Sequence, residues 1–319
     1  MGAKVNIDGT WKTVSNVKVN IDGAWKQVQK VSVNIDGTWK TAWQYVGSWS
    51  TGGNLNAVKF YLAGCGTQAA GLCFGGYESD YLNSTEEYNG ASWTAGGNLS
   101  TARYALAGCG TQTAGLSFGG NNGSVLSTTE EYNGTSWGAG GNLNTARYYI
   151  SGCGTQTAGL SFGGNDGGSA LNTTEEYNGT SWGAGGNLAT ARASSGGCGT
   201  QTAGLSFGGD VGGSDTYATE EYNGTSWTAG GNLAVGRAGL AGCGTQTMGL
   251  SFGGSMSTPP YTCYNTTEEY NGTSWITGGN LNTARSFLAG CGIQTAGLSF
   301  GGNDGSENLN TTEEYSKVA

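Results

Sequence analysis

Six Glu-Glu-Tyr triplets are the first residues of this chain that could do chemistry. They end at Tyr88, Tyr132, Tyr177, Tyr222, Tyr270 and Tyr315. Two carboxylates can act as general acid and base in glycoside hydrolysis. Here the pair recurs in six places, whereas a catalytic pair is needed once. Neighbouring residues of a strand also point to opposite faces, so adjacent carboxylates diverge. A structural role is expected, with one glutamate of each pair meeting the arginine of a neighbouring strand. The chain has no histidine, which removes Ser-His-Asp and Cys-His catalysis and every histidine-ligated metal site. No catalytic residue is expected.

Six of the eight cysteines lie in a Gly-Cys-Gly context, at 65, 109, 153, 198, 243 and 291. This wide spacing has no CxxC character, so a metal site is not expected. A small buried residue at a tight strand end accounts for them. Cys73 stands where the other repeats carry Ser, and a bridge from it to Cys65 is an alternative. Cys263, in the longest insertion, reads as a free thiol. The Gly-Gly-Asn-Asp-Gly stretches at 163–167 and 301–305 lack the alternating acids of a calcium loop and read as turns, as do the Asn-Gly-Thr sequences at 133, 178, 223 and 271. No cofactor is expected.

The elements that would position these residues are short and β-rich. Glycine supplies 63 of 319 residues and proline only two. Ten Trp, sixteen Tyr and eight Phe want burial, which argues against a disordered glycine-rich chain. No run of eighteen apolar residues suggests a membrane span. The start, Met-Gly-Ala-Lys-Val-Asn, lacks a hydrophobic signal segment, so export by an N-terminal secretion signal is not expected, and release by lysis or assembly into a particle fits. Residues 1–46 carry six Lys against three Asp, whereas 47–319 carry two Lys and five Arg against nineteen acids. An acidic body argues against binding nucleic acid.

That body is repetitive. The Gly-Cys-Gly cysteines are 44, 44, 45, 45 and 48 residues apart. Each unit reads as four strands: one carrying the Arg and Cys, a second of Ala-Gly-Leu-Ser-Phe type ending at Gly-Gly, a third at Thr-Glu-Glu-Tyr, and a fourth beginning at Trp after an Asn-Gly turn. Four strands repeated six times predict an all-β protein whose residues 47–319 form a six-bladed β-propeller. A strand ending in Gly-Gly, then Tyr, then Trp, with Arg opening the next unit, resembles the kelch repeat. Lys59 replaces that Arg in the first unit, and the Tyr-to-Trp connection has only four residues. The body opens on a fourth strand at Gly47-Ser-Trp49 and ends on a third at Thr312-Glu-Glu-Tyr315. The N-terminal strand is therefore expected to complete the last blade.

Residues 1–46 hold three copies at a period of 14: Val5-Asn-Ile-Asp-Gly-Thr-Trp-Lys12, Val19-Asn-Ile-Asp-Gly-Ala-Trp-Lys26 and Val33-Asn-Ile-Asp-Gly-Thr-Trp-Lys40. Asp-Gly between β formers predicts hairpins turning at Asp8-Gly9, Asp22-Gly23 and Asp36-Gly37. So small a domain is marginal alone. The tandem hairpins resemble short repeats of bacteriophage tail and appendage proteins. The resemblance implies a virion location, with Trp11, Lys12, Trp25, Lys26, Trp39 and Lys40 as anchoring residues toward other virion proteins, or between copies of this chain.

The repeats disagree most between the second and third strands. From Gly-Gly to Tyr the intervening residues number 11, 11, 12, 12, 15 and 12. Alternating strands put these loops and the fourth-to-first connections on one face, as binding loops on a rigid scaffold lie. The 1–46 segment is expected to leave from the opposite face. Candidate ligand residues are Tyr77, Asp80 and Tyr81; Asn121 and Asn122; Asn165 and Asp166; Asp210, Asp215 and Tyr217; Tyr261 and Tyr264; and Asn303 and Asp304. Tyr, Asn and Asp suit sugar stacking and hydrogen bonding. The expectation is a non-catalytic appendage protein attaching to a host-surface glycan or protein. The alternatives are a purely structural capsid or tail decoration and, less favoured, a glycan-active enzyme.

Overall fold

A computed structural model describes residues 3–7, 10–14, 18–21, 24–27, 30–35, 38–44 and 46–317, with side chains from 46 to 317. Among the described residues every regular element is a β-strand, and there is no helix. The chain divides into two compact units, Met1–Gly47 with Lys317–Ala319, and Ser48–Ser316.

The first unit holds three separate two-stranded antiparallel sheets: Ala3–Ile7 with Thr10–Val14, Lys18–Ile21 with Ala24–Gln27, and Lys30–Ile35 with Thr38–Gln44. Ile7 lies opposite Thr10, Ile21 opposite Ala24 and Ile35 opposite Thr38, the register of two-residue connections. The turn residues Asp8-Gly9, Asp22-Gly23 and Asp36-Gly37 lie outside the described residues. So do the side chains of Trp11, Lys12, Trp25, Lys26, Trp39 and Lys40.

The second unit is a six-bladed β-propeller of four-stranded antiparallel blades. Blade one runs Ala63–Thr67, Ala70–Phe74, Thr85–Tyr88 and Trp93–Ala95. The first strand of each blade is innermost and packs against its counterparts in both neighbouring blades. The arginine lies in the connection before that strand and not within it: Arg103, for instance, precedes Ala107–Thr111. Blade six is built from both ends, with Thr312–Ser316 pairing with Ser48–Thr51.

Glycine is needed where inner strands meet. A Cβ on Gly108 would lie 2.3 Å from Cζ of Phe74 in the preceding blade. The ring edge thus occupies the space of the missing side chain, and Phe74 is fully buried.

Three sets of hydrogen bonds repeat around the ring. Each blade's Trp indole donates to a Thr hydroxyl of the preceding blade, as Trp137 to Thr85 at 2.9 Å. Each Tyr hydroxyl donates to the second glutamate of the preceding blade, as Tyr132 to Glu87 at 2.6 Å. Each turn glutamine donates to two carbonyls of the preceding blade, as Gln112 to Gly71 and Tyr88. That last set explains why the Gly-Thr-Gln turn hardly varies. All three close at the joint: Trp49 to Thr267 at 2.9 Å, Tyr88 to Glu314 at 2.7 Å, and Gln68 to Gly297 and Tyr315.

Trp49 packs on Phe252 and Tyr315 at 4.9 and 5.0 Å, and Trp137 on Phe74 and Tyr132 at 4.8 and 5.0 Å. Trp49→Ala and Trp137→Ala should therefore cost equally, about 3–5 kcal/mol each. Denaturant unfolding of the two variants checks this; a much smaller loss for Trp49→Ala would mean that the joint contributes less than an internal blade contact.

Candidate ligand-binding face

The loops of one face rest on buried ion pairs. Arg103 Nη2 meets Glu130 Oε1 at 2.8 Å, while Nη1 donates to Gly119 O at 3.0 Å and Thr128 O at 2.9 Å. Gly119 and Thr128 begin and end the second-to-third loop, so one guanidinium ties both ends. The second carboxylate oxygen of Glu130 accepts the Ser100 N–H at 2.7 Å. Pairs Arg147–Glu175, Arg192–Glu220, Arg237–Glu268 and Arg285–Glu313 repeat the ion pair. In blade one Lys59 reaches Glu86 at 2.6 Å and Ser84 at 3.1 Å. All six cations are at most 1 % exposed. The first glutamate of each pair thus meets the expected cation. The second serves the neighbouring blade's tyrosine.

Next to each of these cations the chain crosses the central axis region of the same face. Tyr61, Ala105, Tyr149, Ser194 and Phe287 have φ of 51–54°, and Gly239 has 63°. Left-handed backbone is costly for bulky residues. A ring of backbone hydrogen bonds offsets that cost. Tyr61 N–H donates to Phe287 O, Ala105 to Tyr61, Tyr149 to Ala105, Ser194 to Tyr149, Gly239 to Ser194, and Phe287 to Gly239, all at 2.7–2.9 Å. This circle of six bonds forms the pole of the loop face.

The side chains at the pole break the six-fold regularity. Phe60, Tyr61, Tyr104, Tyr148, Tyr149 and Phe287 gather at blades six, one, two and three, whereas blades four and five carry Ala193, Ser194, Ala238 and Gly239 there. Tyr61 lies 4.3 Å from Phe287, 5.7 Å from Tyr104 and 5.4 Å from Tyr149 between ring centres. Tyr81 stacks on Tyr104 at 5.5 Å and 7°, and Tyr77 joins at 5.9 Å. Burial raises the Tyr149 hydroxyl above its usual range, with nearby Tyr61 adding to the effect. Burial raises Tyr61 and Tyr104 as well, so these three phenols are neutral donors and acceptors at ordinary pH.

Of the residues nominated from sequence, Tyr77 and Tyr81 join this patch, and Tyr261 and Asn303 line a cleft beside it. Most of the polar ones are used in building their own loops. Asn121, Asn165 and Asn303 accept the N–H two residues on, at 2.7, 2.7 and 2.8 Å. Asp210 caps Gly213, Asn122 caps Ser124 and Asp80 caps Tyr81. Asp166 accepts from Gly168 and Ser169, and Asp304 from Ser306 and Glu307. Those N–H groups hold both carboxyls below their usual range. Asp215 latches the next loop through the N–H and hydroxyl of Ser257. Tyr217 takes a place where four other blades carry an Asn bonded to a Leu carbonyl, and Tyr264 is half-buried at the end of its loop.

Phe60, Tyr61, Tyr104, Tyr148, Tyr149 and Phe287 are absent from the sequence-derived candidates because they lie in the fourth-to-first connections and not in the second-to-third loops, whose length varies between repeats. The signal is the dipeptide after each cation: Phe-Tyr, Tyr-Ala, Tyr-Tyr, Ala-Ser, Ala-Gly and Ser-Phe.

The cysteine ring has a packing role. Each Sγ of the Gly-Cys-Gly set lies 3.5–3.8 Å from a backbone carbonyl of the next blade, and burial pushes each thiol up. Cys65 pairs in register with Leu72, and Cys73 with Gly64. The two side chains therefore point to opposite faces of the blade, and both thiols are free. The inner strands enclose a channel of about 190 Å³.

The two glutamates of one pair should respond differently. Glu130→Gln leaves Arg103 buried without its counter-charge and should cost about 3–5 kcal/mol. Glu131→Gln removes a carboxylate that accepts from Tyr177 at 2.7 Å and should cost about 1.5–3 kcal/mol. Equal losses in denaturant unfolding would contradict this division. Burial and the neighbouring glutamate raise Tyr88, Tyr132, Tyr177, Tyr222 and Tyr270 from 10.0 to about 12. The fold favours the protonated phenols, so their contribution is complete below the ordinary value and is lost as pH rises toward the folded one. Stability should fall steeply between pH 10 and about 12, read by denaturant unfolding across that interval. Stability that stays level through it would contradict the prediction. No protein-family model matches the chain, and no curated protein matches it.

Proposed function

We propose that this is a non-catalytic bacteriophage appendage protein with a kelch-type propeller. Residues 1–46 attach it to the virion, and the propeller's loop face attaches to a glycan on the host surface. The observation that carries the proposal is the one-sided aromatic patch on an otherwise six-fold repeated ring. A purely structural ring has no need for Tyr61 and Tyr149 at a pole where Ser194 and Gly239 make the same backbone bonds, nor for Tyr104 where Ala193 and Ala238 do. Aromatic rings flanked by hydroxyls offer stacking and hydrogen bonding together. The engagement of both glutamates of each pair in structural bonds supports binding without turnover. The tandem hairpins at the N-terminus support the virion assignment, with other virion proteins or further copies of this chain as partners there.

Particles carrying Tyr81→Ala and Tyr104→Ala together should adsorb to host cells at least about tenfold less well, a loss of about 1.4 kcal/mol or more. The variant propeller should unfold at the same temperature as the parent. Unchanged adsorption of such particles would return the propeller to a purely structural decoration.

A further inference from the structure

Beside the aromatic patch, the long loop of blade five, blade six and the start of blade one enclose a cleft of about 520 Å³. That lies within the roughly 300–1,000 Å³ of small-molecule sites. Phe60, Tyr61 and Phe287 line one part of it, and Met256 and Tyr261 come from the long loop. Tyr261 is 71 % exposed. The deeper lining includes Ser286, Cys263 and Asn303, with Cys263 Sγ 3.5 Å from both Ser286 Oγ and Asn303 O.

The charge of the ligand follows from where the ions are. Every cation of residues 48–316 is Lys59 or one of five arginines, and all six are buried in ion pairs. The loop face carries Glu78, Asp80, Asp166, Asp210, Asp215, Asp304 and Glu307. An anionic sugar, sulfate or phosphate therefore meets repulsion and no counter-charge. A cationic ligand would seek those carboxylates, yet none of them lines the cleft. What the cleft offers is the hydroxyls of Tyr61, Tyr261, Ser255 and Ser286. A hydroxyl both donates and accepts, which matches the hydroxyls of a sugar, while the rings match its C–H face.

We propose that this cleft, framed by Tyr261, Phe287 and Ser286, is the site for an uncharged hexopyranose unit of a glycan. The proposal rests on the loop-face reading above and narrows it to one site and one ligand class. The cleft also carries its own reporter. Cys263 is half-buried there, while the other seven cysteines are buried.

The experiment uses the full chain on an array of uncharged hexose oligosaccharides beside sialylated and sulfated ones. Uncharged glycans should be retained. Tyr261→Ala and the cleft-filling Met256→Trp should each weaken retention at least about tenfold. Saturation with a retained oligosaccharide should slow maleimide labelling of Cys263 several-fold in the parent protein. Preference for sialylated or sulfated glycans would overturn the ligand class. Undiminished retention by both cleft variants, with labelling of Cys263 unaffected by the saccharide, would overturn the site. If Tyr81→Ala with Tyr104→Ala then still abolishes adsorption, the loop-face reading survives without the cleft. If no variant changes adsorption and no glycan is retained, both fall.

Discussion

The propeller depends on the alternation of one strand, Thr-Glu-Glu-Tyr. A period of two sends the Thr and the second Glu toward the next blade, and the first Glu and the Tyr toward the preceding one. In blade one, Thr85 and Glu87 accept from Trp137 and Tyr132 of blade two. Glu86 holds Lys59, and Tyr88 reaches Glu314 of blade six. Four consecutive residues thus join three blades and support a loop. A shift of one residue in this strand would exchange every partner and bury carboxylates without counter-charges, so its register is fixed more firmly than by packing alone. The same constraint explains why the carboxylates are paired: they serve opposite sides of the strand.

The ion pairs link that scaffold to the loop face. A buried pair contributes little net stability by itself, because desolvation offsets the attraction. Its structural effect here is to set the loop ends. Arg103 holds Gly119 and Thr128 together, so the residues between them can change in number and type while their ends stay fixed. The loop that carries Tyr261 is the longest of the six, yet it starts and ends on the same frame, at Gly253 and Thr266. Arg237 serves it through the Thr266 and Ser251 hydroxyls.

What the sequence displayed and what it concealed separate along the same line. The blades, their strand order and the two-ended closure of blade six were legible because each depends on a residue type repeated six times. The ion pairs were legible too, since Arg and Glu recur together. The loop polar residues have a structural role that their residue types alone did not display, because Asn and Asp in short loops most often cap their own backbone, as Asn121, Asn165 and Asp166 do. The aromatic pole was hidden for a different reason. Its residues fall within the fourth-to-first connections, next to the most regular residues of the repeat. The second residue of each dipeptide after the cation has a left-handed backbone, which Tyr, Ala, Ser, Gly and Phe here all adopt and which no residue pattern announces.

That backbone ring is also what lets the face differ from blade to blade. Each pole residue is held by its own N–H and C=O and not by its side chain, so Gly239 and Tyr149 occupy equivalent places with bonds of similar length. The left-handed conformation is strained for tyrosine, but closing the circle satisfies six donors and six acceptors at once, and opening one link would leave its neighbours unpaired. Side-chain identity is thereby released from the demands of folding at a place where the connections of all six blades converge. Rings can accumulate on one half of the pole and be absent from the other without disturbing the blades below. A six-fold scaffold can present a one-sided surface only if some positions are free in this sense, and the hydrogen-bonded pole supplies six of them beside the loops.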